Sequence, residues 1–187
     1  IIYFGLIALK GIMFMRIEEI AISNFRGIKN KTIVFDGKST VFFGVNGTGK
    51  STILRAINVM FYRIVQKIVL SRYKQTINMT KADIRFAESK ASIEVEISLA
   101  NTNKKIKYKR SLEKKMNRLS YSQDSLNEIA ELFEELYLSN EKANMPIFVN
   151  YGVHRVVLDI PLRIKRNHSF DKIAAFEKAI ESKIDFR

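Results

Sequence analysis

An α/β fold built around a phosphate-binding loop is what this sequence predicts, and three features predict it. Residues 44–52 read Gly-Val-Asn-Gly-Thr-Gly-Lys-Ser-Thr and satisfy G-x-x-x-x-G-K-[ST] through Gly44, Gly49, Lys50 and Ser51. Ahead of them, Ser39-Thr40-Val41-Phe42-Phe43 is a short apolar run rich in strand formers, the pattern of a buried strand. Behind them, Ile53, Ile57, Met60, Ile64 and Ile68 recur at helical spacing, and Leu54, Phe61 and Val65 widen the stripe. Strand, glycine loop and helix form the setting in which such a loop holds phosphate.

Taken in chain order, residues 1–12 read as an N-terminal extension: mostly apolar, interrupted by Lys10, and too short to span a bilayer. They also lack the basic start and small-residue cleavage site of a secretory leader. Met15 to Ser23 reads as a first strand, Asn24-Phe25-Arg26-Gly27 as a turn and Lys31 to Phe35 as a second strand. Asp36-Gly37 is a hairpin-type turn. The loop helix is expected from about Gly49 to about Val69, and residues 71–89 are polar with weak periodicity. Ala91 to Leu99 alternates strictly, with Ile93, Val95, Ile97 and Leu99 on one face. Asn101-Thr102-Asn103 turns the chain, and Lys104 to Ser111 returns, giving a β-hairpin over about 91–111. A helical part is expected over about 122–187. Ser125 and Glu128 have capping-box spacing for a helix that turns Leu126, Ile129, Ala130, Phe133, Leu136 and Tyr137 inward. Glu128, Glu131, Glu134 and Glu135 then face water. Pro146 to Tyr151 reads as a strand, and Phe170 to Ile184 as an amphipathic helix.

The chemistry of residues 44–52 follows from their types. Gly44, Gly47 and Gly49 allow backbone angles closed to other residues, so the N–H groups of Val45, Asn46, Thr48 and their neighbours can converge on one anion. Lys50 is placed to lie along the β- and γ-phosphates of a nucleotide, and the Ser51 hydroxyl to complete the shell of a Mg²⁺ ion. Thr52 continues the first helical turn, whose N-terminus adds partial positive charge at the same point. ATP with Mg²⁺ is the expected cofactor pair.

Composition bounds the remaining possibilities. The chain of 187 residues is long enough for one domain with a real core. With no cysteine, it has no disulfide framework, no thiolate zinc site and no thiol nucleophile, which suits the cytoplasm. The net charge of +13 is uneven, with fifteen basic and five acidic side chains between residues 61 and 120. Lys104, Lys105, Lys107, Lys109, Arg110, Lys114, Lys115 and Arg118 are the densest cluster. Such a stripe fits either a nucleic-acid backbone or a solvated hairpin edge kept from aggregating by lysine.

Hydrolysis needs an aspartate for the Mg²⁺ shell and a glutamate for water. The nearest sequence is Val156-Val157-Leu158-Asp159-Ile160, where Ile160 stands in the glutamate's place. Asp159 therefore reads as a turn or helix-start residue before a metal ligand. His154 and His168 are isolated singletons.

The run from Met15 to Ile28, with its Asn24-Phe25-Arg26 turn, resembles the opening of an ABC-type ATPase head. So does the run from Phe43 to Ile57, with Asn46-Gly47 inside the loop and Ser51-Thr52-Ile53-Leu54 after the lysine. The branch it is most similar to is that of RecF, SMC, Rad50 and OLD nucleases, often called AAA-family ATPases. The stretch from Tyr151 to Ile164, with Phe170 and Phe176, resembles prokaryotic defence ATPases of the Septu and retron-associated type. This resemblance implies that residues 13–187 are the N-terminal part of a P-loop ATPase head, with an antiparallel side sheet that includes the 91–111 hairpin. It implies that Arg26 lies near the nucleotide, where the residues alone read equally as a solvent-facing turn.

The branch's signature sequence, Asp-Glu pair and switch histidine are not found in these residues, so the chain reads as the first part of a head that binds ATP and hydrolyses it poorly alone. The implied partners are a second head (a second copy or the missing half), DNA and a nuclease; a membrane is not among them. The rival readings are a transporter nucleotide-binding subunit, a small P-loop kinase and a non-enzymatic DNA-binding module.

Overall fold

A computed structural model describes residues 3–4, 15–68, 77–99 and 104–139. The chain divides into two compact units, Ile1–Pro146 and Ile147–Arg187, and all the described residues belong to the first. In order they form β1 (Tyr3–Phe4), β2 (Met15–Phe25), β3 (Ile28–Val34), β4 (Thr40–Val41), α1 (Lys50–Ile68), β5 (Lys90–Leu99), β6 (Lys104–Glu113), β7 (Arg118–Tyr121) and α2 (Gln123–Ser139). A single 3₁₀ turn, Lys81–Asp83, precedes β5. The expected strand over residues 146–151, the helix over 170–184, and Asp159, His154 and His168 lie outside the described residues.

Five strands form one antiparallel sheet in the order β3-β2-β5-β6-β7. The expected hairpin of residues 91–111 is β5 and β6, in register from Lys90 opposite Glu113 to Leu99 opposite Lys104. β2 changes parity midway. Ile17 faces Ile97 but Glu19 faces Glu96, so Glu18 is the extra residue of a bulge. The buried side chains therefore run Met15, Ile17, then Ile20, Ile22. Glu18 is tied down at the bulge: its carboxylate accepts from the Ser98 hydroxyl and from Arg16, and its carbonyl accepts the Phe35 N–H at 2.8 Å.

The inner face carries Ile20, Ile22, Ile93, Val95, Ile97, Ile106 and Tyr108, all at most 3% exposed. Against it lies α1, burying Ile53, Ile57, Met60, Phe61, Ile64 and Val65 of the stripe read from the sequence, with Ala56 beside them. α2 adds Leu126, Ile129 and Phe133, packing on α1 and β6. Ile93 sits on the central strand with no exposure, so Ile93→Val is expected to cost about 1 kcal/mol. A lower urea midpoint at unchanged slope is the measurement.

Three expectations are corrected here. The run Ser39–Phe43 is not a buried strand. Only Thr40–Val41 is strand, paired with Tyr3–Phe4, and Phe43 is 88% exposed. An apolar run is buried when elements cover both its faces, and the described residues supply one short edge pairing. The helix cap lies earlier than Ser125: α2 begins at Gln123, and the Leu126 N–H donates to the Ser122 carbonyl. Arg110, counted with the basic stripe, points inward. Alternation puts positions 106, 108, 110 and 112 on the inner face, and Arg110 is 1% exposed. Its guanidinium donates to the Val59 carbonyl of α1 and to Asn78 Oδ1.

Candidate phosphate-binding site

The loop between β4 and α1 turns where glycine alone is at ease. Gly44, Gly47 and Gly49 have φ of 142°, 87° and 93°. The Thr48 hydroxyl donates to the Val45 carbonyl at 3.0 Å and braces the turn. α1 starts at Lys50, and the Ile53 N–H closes the first helical bond on the Gly49 carbonyl at 2.9 Å. The N–H groups of the preceding residues in that turn have no intrahelical acceptor, which leaves them for an anion.

Lys50 folds back over this loop, its Nζ donating to the carbonyls of Gly44 at 2.8 Å and Val45 at 2.7 Å. One cation, three positive-φ glycines and a helix N-terminus thus converge on a few ångströms of chain. These residues fit a nucleotide phosphate. Val45, Asn46, Gly47, Thr48 and Ser51 are exposed, while Gly49, Lys50 and Thr52 are half-buried. Ser51 stands in the first turn of α1, where its hydroxyl has open access. Among the described residues, no cluster of histidine, aspartate and glutamate has the makings of a metal site by itself.

Arg26 stands in the β2–β3 turn, two residues before Ile28. Phe25 pairs with Ile28, and Ile28 packs over the loop, its Cγ1 3.7 Å from where a Cβ on Gly49 would stand. Arg26 itself has φ of 51°, and its side chain is 42% exposed. It is held by Asp83: the Arg26 N–H donates to the Asp83 carbonyl at 2.8 Å and its Nε to Asp83 Oδ1 at 2.7 Å.

Asp83 is the residue that reading the sequence missed. It is fully buried, yet ionised, and five donors reach its carboxylate. Arg26 Nε and Arg55 Nε meet Oδ1 at 2.7 and 3.0 Å. Arg55 Nη2, the Thr80 N–H and the Thr80 hydroxyl meet Oδ2 at 2.9, 3.0 and 3.1 Å. Burial by itself pushes this carboxyl up, but the hydrogen bonds from Arg55, the Thr80 backbone and Arg26 outweigh it and hold it well below the usual range. The same contact raises Arg55 further. Two signals in the sequence pointed here. Thr80 and Asp83 have N-terminal capping spacing, and Arg55 follows the loop lysine by five residues, on the flank of the apolar stripe.

The basic stripe, by contrast, is largely a ladder of pairs. Lys105 and Lys107 lie 3.0 and 3.4 Å from the Glu96 carboxylate, and Lys109 lies 3.6 Å from that of Glu94. Lys104 reaches Glu128 of α2 at 2.6 Å, so that glutamate serves an ion pair, while Glu131, Glu134 and Glu135 are exposed as expected. With Arg110 in the core, the exposed members without such a pair are Lys114, Lys115 and Arg118 at the β6–β7 turn.

The loop, its lysine and the helix behind them define a P-loop domain. Residues 19–187 match the AAA domain family (AAA_23), and the chain belongs to that family. No curated protein matches it in sequence. Similar solved structures include an SMC ATPase, studied for ATP-driven dimerization and DNA-stimulated activation. It is 19% identical over 63% of this chain and 77% of that one, with a TM-score of 0.43. Another is the recombination mediator RecF with ATP in the RecFOR pathway, at 19% identity over 63% of this chain and 31% of that one, TM-score 0.42. A third is an Smc head domain with coiled coil and joint from Pyrococcus yayanosii, at 18% identity over 65% of this chain and 25% of that one, TM-score 0.39. The chain thus spans about a third or less of the RecF and Pyrococcus chains.

Proposed function

We propose that this chain is the ATP-binding portion of a RecF/SMC-type ATPase head. Its cytoplasmic work is to couple ATP-driven closure against a second head to DNA repair or phage defence. The observation that carries the reading is Lys50 lying across a loop of positive-φ glycines at the start of α1. In this reading the loop N–H groups of residues 44–52 enclose the phosphates, and the Lys50 ammonium exchanges the carbonyls of Gly44 and Val45 for β- and γ-phosphate oxygens. Ser51 would supply a hydroxyl ligand to Mg²⁺, and Arg26 would add positive charge from the β2–β3 turn. Bound Mg²⁺ would neutralise phosphate charge.

Closure follows from differential contact. A second head, either another copy or the remaining half, binds better to the form whose γ-phosphate is in place. Where that partner is the remaining half, it supplies the residues that activate water, and this chain alone binds ATP but turns it over slowly. A DNA or nuclease partner is engaged by the closed pair. The lysine ladder lends the separate DNA-module reading less charge than the sequence suggests, because Lys104, Lys105, Lys107 and Lys109 face Glu128, Glu96 and Glu94, and the exposed remainder is Lys114, Lys115 and Arg118. The test is direct titration of the purified chain with ATP and Mg²⁺, with Lys50→Ala alongside. Absence of binding, or binding indifferent to Lys50→Ala, defeats the proposal; fast turnover by the isolated chain defeats the shared-catalysis part.

A further inference from the structure

We infer that Asp83 is a positioning residue for the nucleotide, acting through Arg26, an inference that rests on the ATP-binding reading of the loop. Its carboxylate joins two elements that flank the loop. On one side is the β2–β3 turn, whose Ile28 packs over Gly49. On the other is α1, where Arg55 meets the carboxylate with two nitrogens, a forked arrangement that fixes direction as well as distance. Arg55 is five residues from Lys50, so at 1.5 Å per residue Asp83 is anchored about 7–8 Å along the helix from the phosphate lysine.

What Asp83 does to Arg26 is specific. It grips the backbone N–H through its own carbonyl and the side chain through Nε alone. The guanidinium has five N–H donors; one on Nη2 shares the edge of the pinned Nε, and the other three, on Nη1 and Nη2, point away from that edge. They belong to a side chain 42% exposed, whereas the carboxylate holding it is completely buried. An arginine on a turn would otherwise sample many rotamers, at an entropy cost to any ligand that orders it.

The backbone agrees with this purpose. Arg26 is a non-glycine residue at φ 51°, a conformation that needs surrounding contacts to persist. Those contacts come from the strip Asp83–Arg85, which runs beside Asn24–Arg26. The Arg85 N–H donates to the Asn24 carbonyl at 2.8 Å, and Phe25 bridges to Ile84. A purely structural clip would be satisfied by Arg55 and Thr80, which already supply four of the five donors. Arg26 adds a second cation from the turn that leads into Ile28, through one nitrogen of a half-exposed side chain.

The experiment is a double-mutant cycle on ATP affinity in the presence of Mg²⁺, using Arg26→Ala, Asp83→Asn and their combination, with melting temperature recorded for each. Arg26→Ala is expected to weaken ATP about tenfold, the scale of one charge-assisted hydrogen bond. Asp83→Asn is expected to weaken it by about the same factor where Arg26 is present, and by less than about twofold where it is already alanine. Arg26→Lys keeps a charge for Asp83 but has no second edge, so it is expected to lose about tenfold in ATP affinity while melting within about 2 °C of the parent.

An Asp83→Asn effect that is fully additive with Arg26→Ala, or absent in a folded variant, overturns the inference. Should Asp83→Asn not fold, Arg26→Lys decides alone, and parent-like ATP affinity overturns it. If Lys50→Ala abolishes binding while both Arg26→Lys and Asp83→Asn leave it intact, only this inference fails. If the parent binds no ATP, the reading of the loop fails and carries the inference with it.

Discussion

Replacing Lys50 with alanine is expected to weaken ATP binding by about a hundredfold or more and to leave the fold standing. The ammonium supplies at least two charge-assisted hydrogen bonds to phosphate in the proposed complex. Each is worth about 1.5–3 kcal/mol, and 1.4 kcal/mol is a tenfold change in affinity. Stability should respond little. In the protein itself Lys50 bonds the carbonyls of Gly44 and Val45, both on exposed residues. Those carbonyls can turn to water, so no buried acceptor is orphaned. Calorimetric titration beside a melting curve separates the two effects. A large fall in melting temperature, with affinity falling only in step, would make Lys50 a structural residue and remove the site's central cation.

Asp83→Asn is expected to destabilise the fold by about 3–5 kcal/mol, the cost of breaking a buried ion pair from one side. The carboxylate is fully buried and meets five donors, so the amide leaves Arg26 and Arg55 short of an acceptor and turns an N–H₂ group toward donors. The loss should depend on pH in a definite sense. The folded-state pKa of Asp83 lies below its unfolded value of about 3.9, so its stabilisation is complete above that value. It is lost as pH falls from about 4 toward the folded-state value. Chemical denaturation at pH 7 and at pH 3 should therefore show the gap between parent and Asp83→Asn narrowing in acid. A gap that stays constant or widens would mean that the carboxylate's charge is not what holds Arg26 and Arg55.

Several elements were legible because a local pattern dictates them. The alternation of Ile93, Val95 and Ile97 specifies which face of β5 is buried, whatever else surrounds it. The α1 stripe is likewise a property of 3.6-residue spacing. Other features depend on who stands opposite. The bulge at Glu18 is held by Ser98 and Phe35, which reach one residue from two other parts of the chain, beside its strand neighbour Arg16. Arg110 looked like one more surface cation in a basic run. Strand parity sent it inward, where burial pushes its guanidinium down and α1 and Asn78 supply acceptors. Lys105, Lys107 and Lys109 became a ladder only when β5 brought Glu94 and Glu96 across from them.

The phosphate loop was determined by the sequence alone. Its glycines, lysine and hydroxyl residues are contiguous from Gly44 to Thr52, and backbone angles at glycine are a local matter. The setting of Arg26 was decided only by the tertiary structure. Its partner Asp83 is 57 residues away in the chain, and the second cation on the same carboxylate, Arg55, is 28 from that aspartate. A carboxylate's reach is a few ångströms in space and is indifferent to sequence distance, so no window along the chain contains this contact. Only the packing of the β2–β3 turn and α1 about one buried aspartate brings it into being.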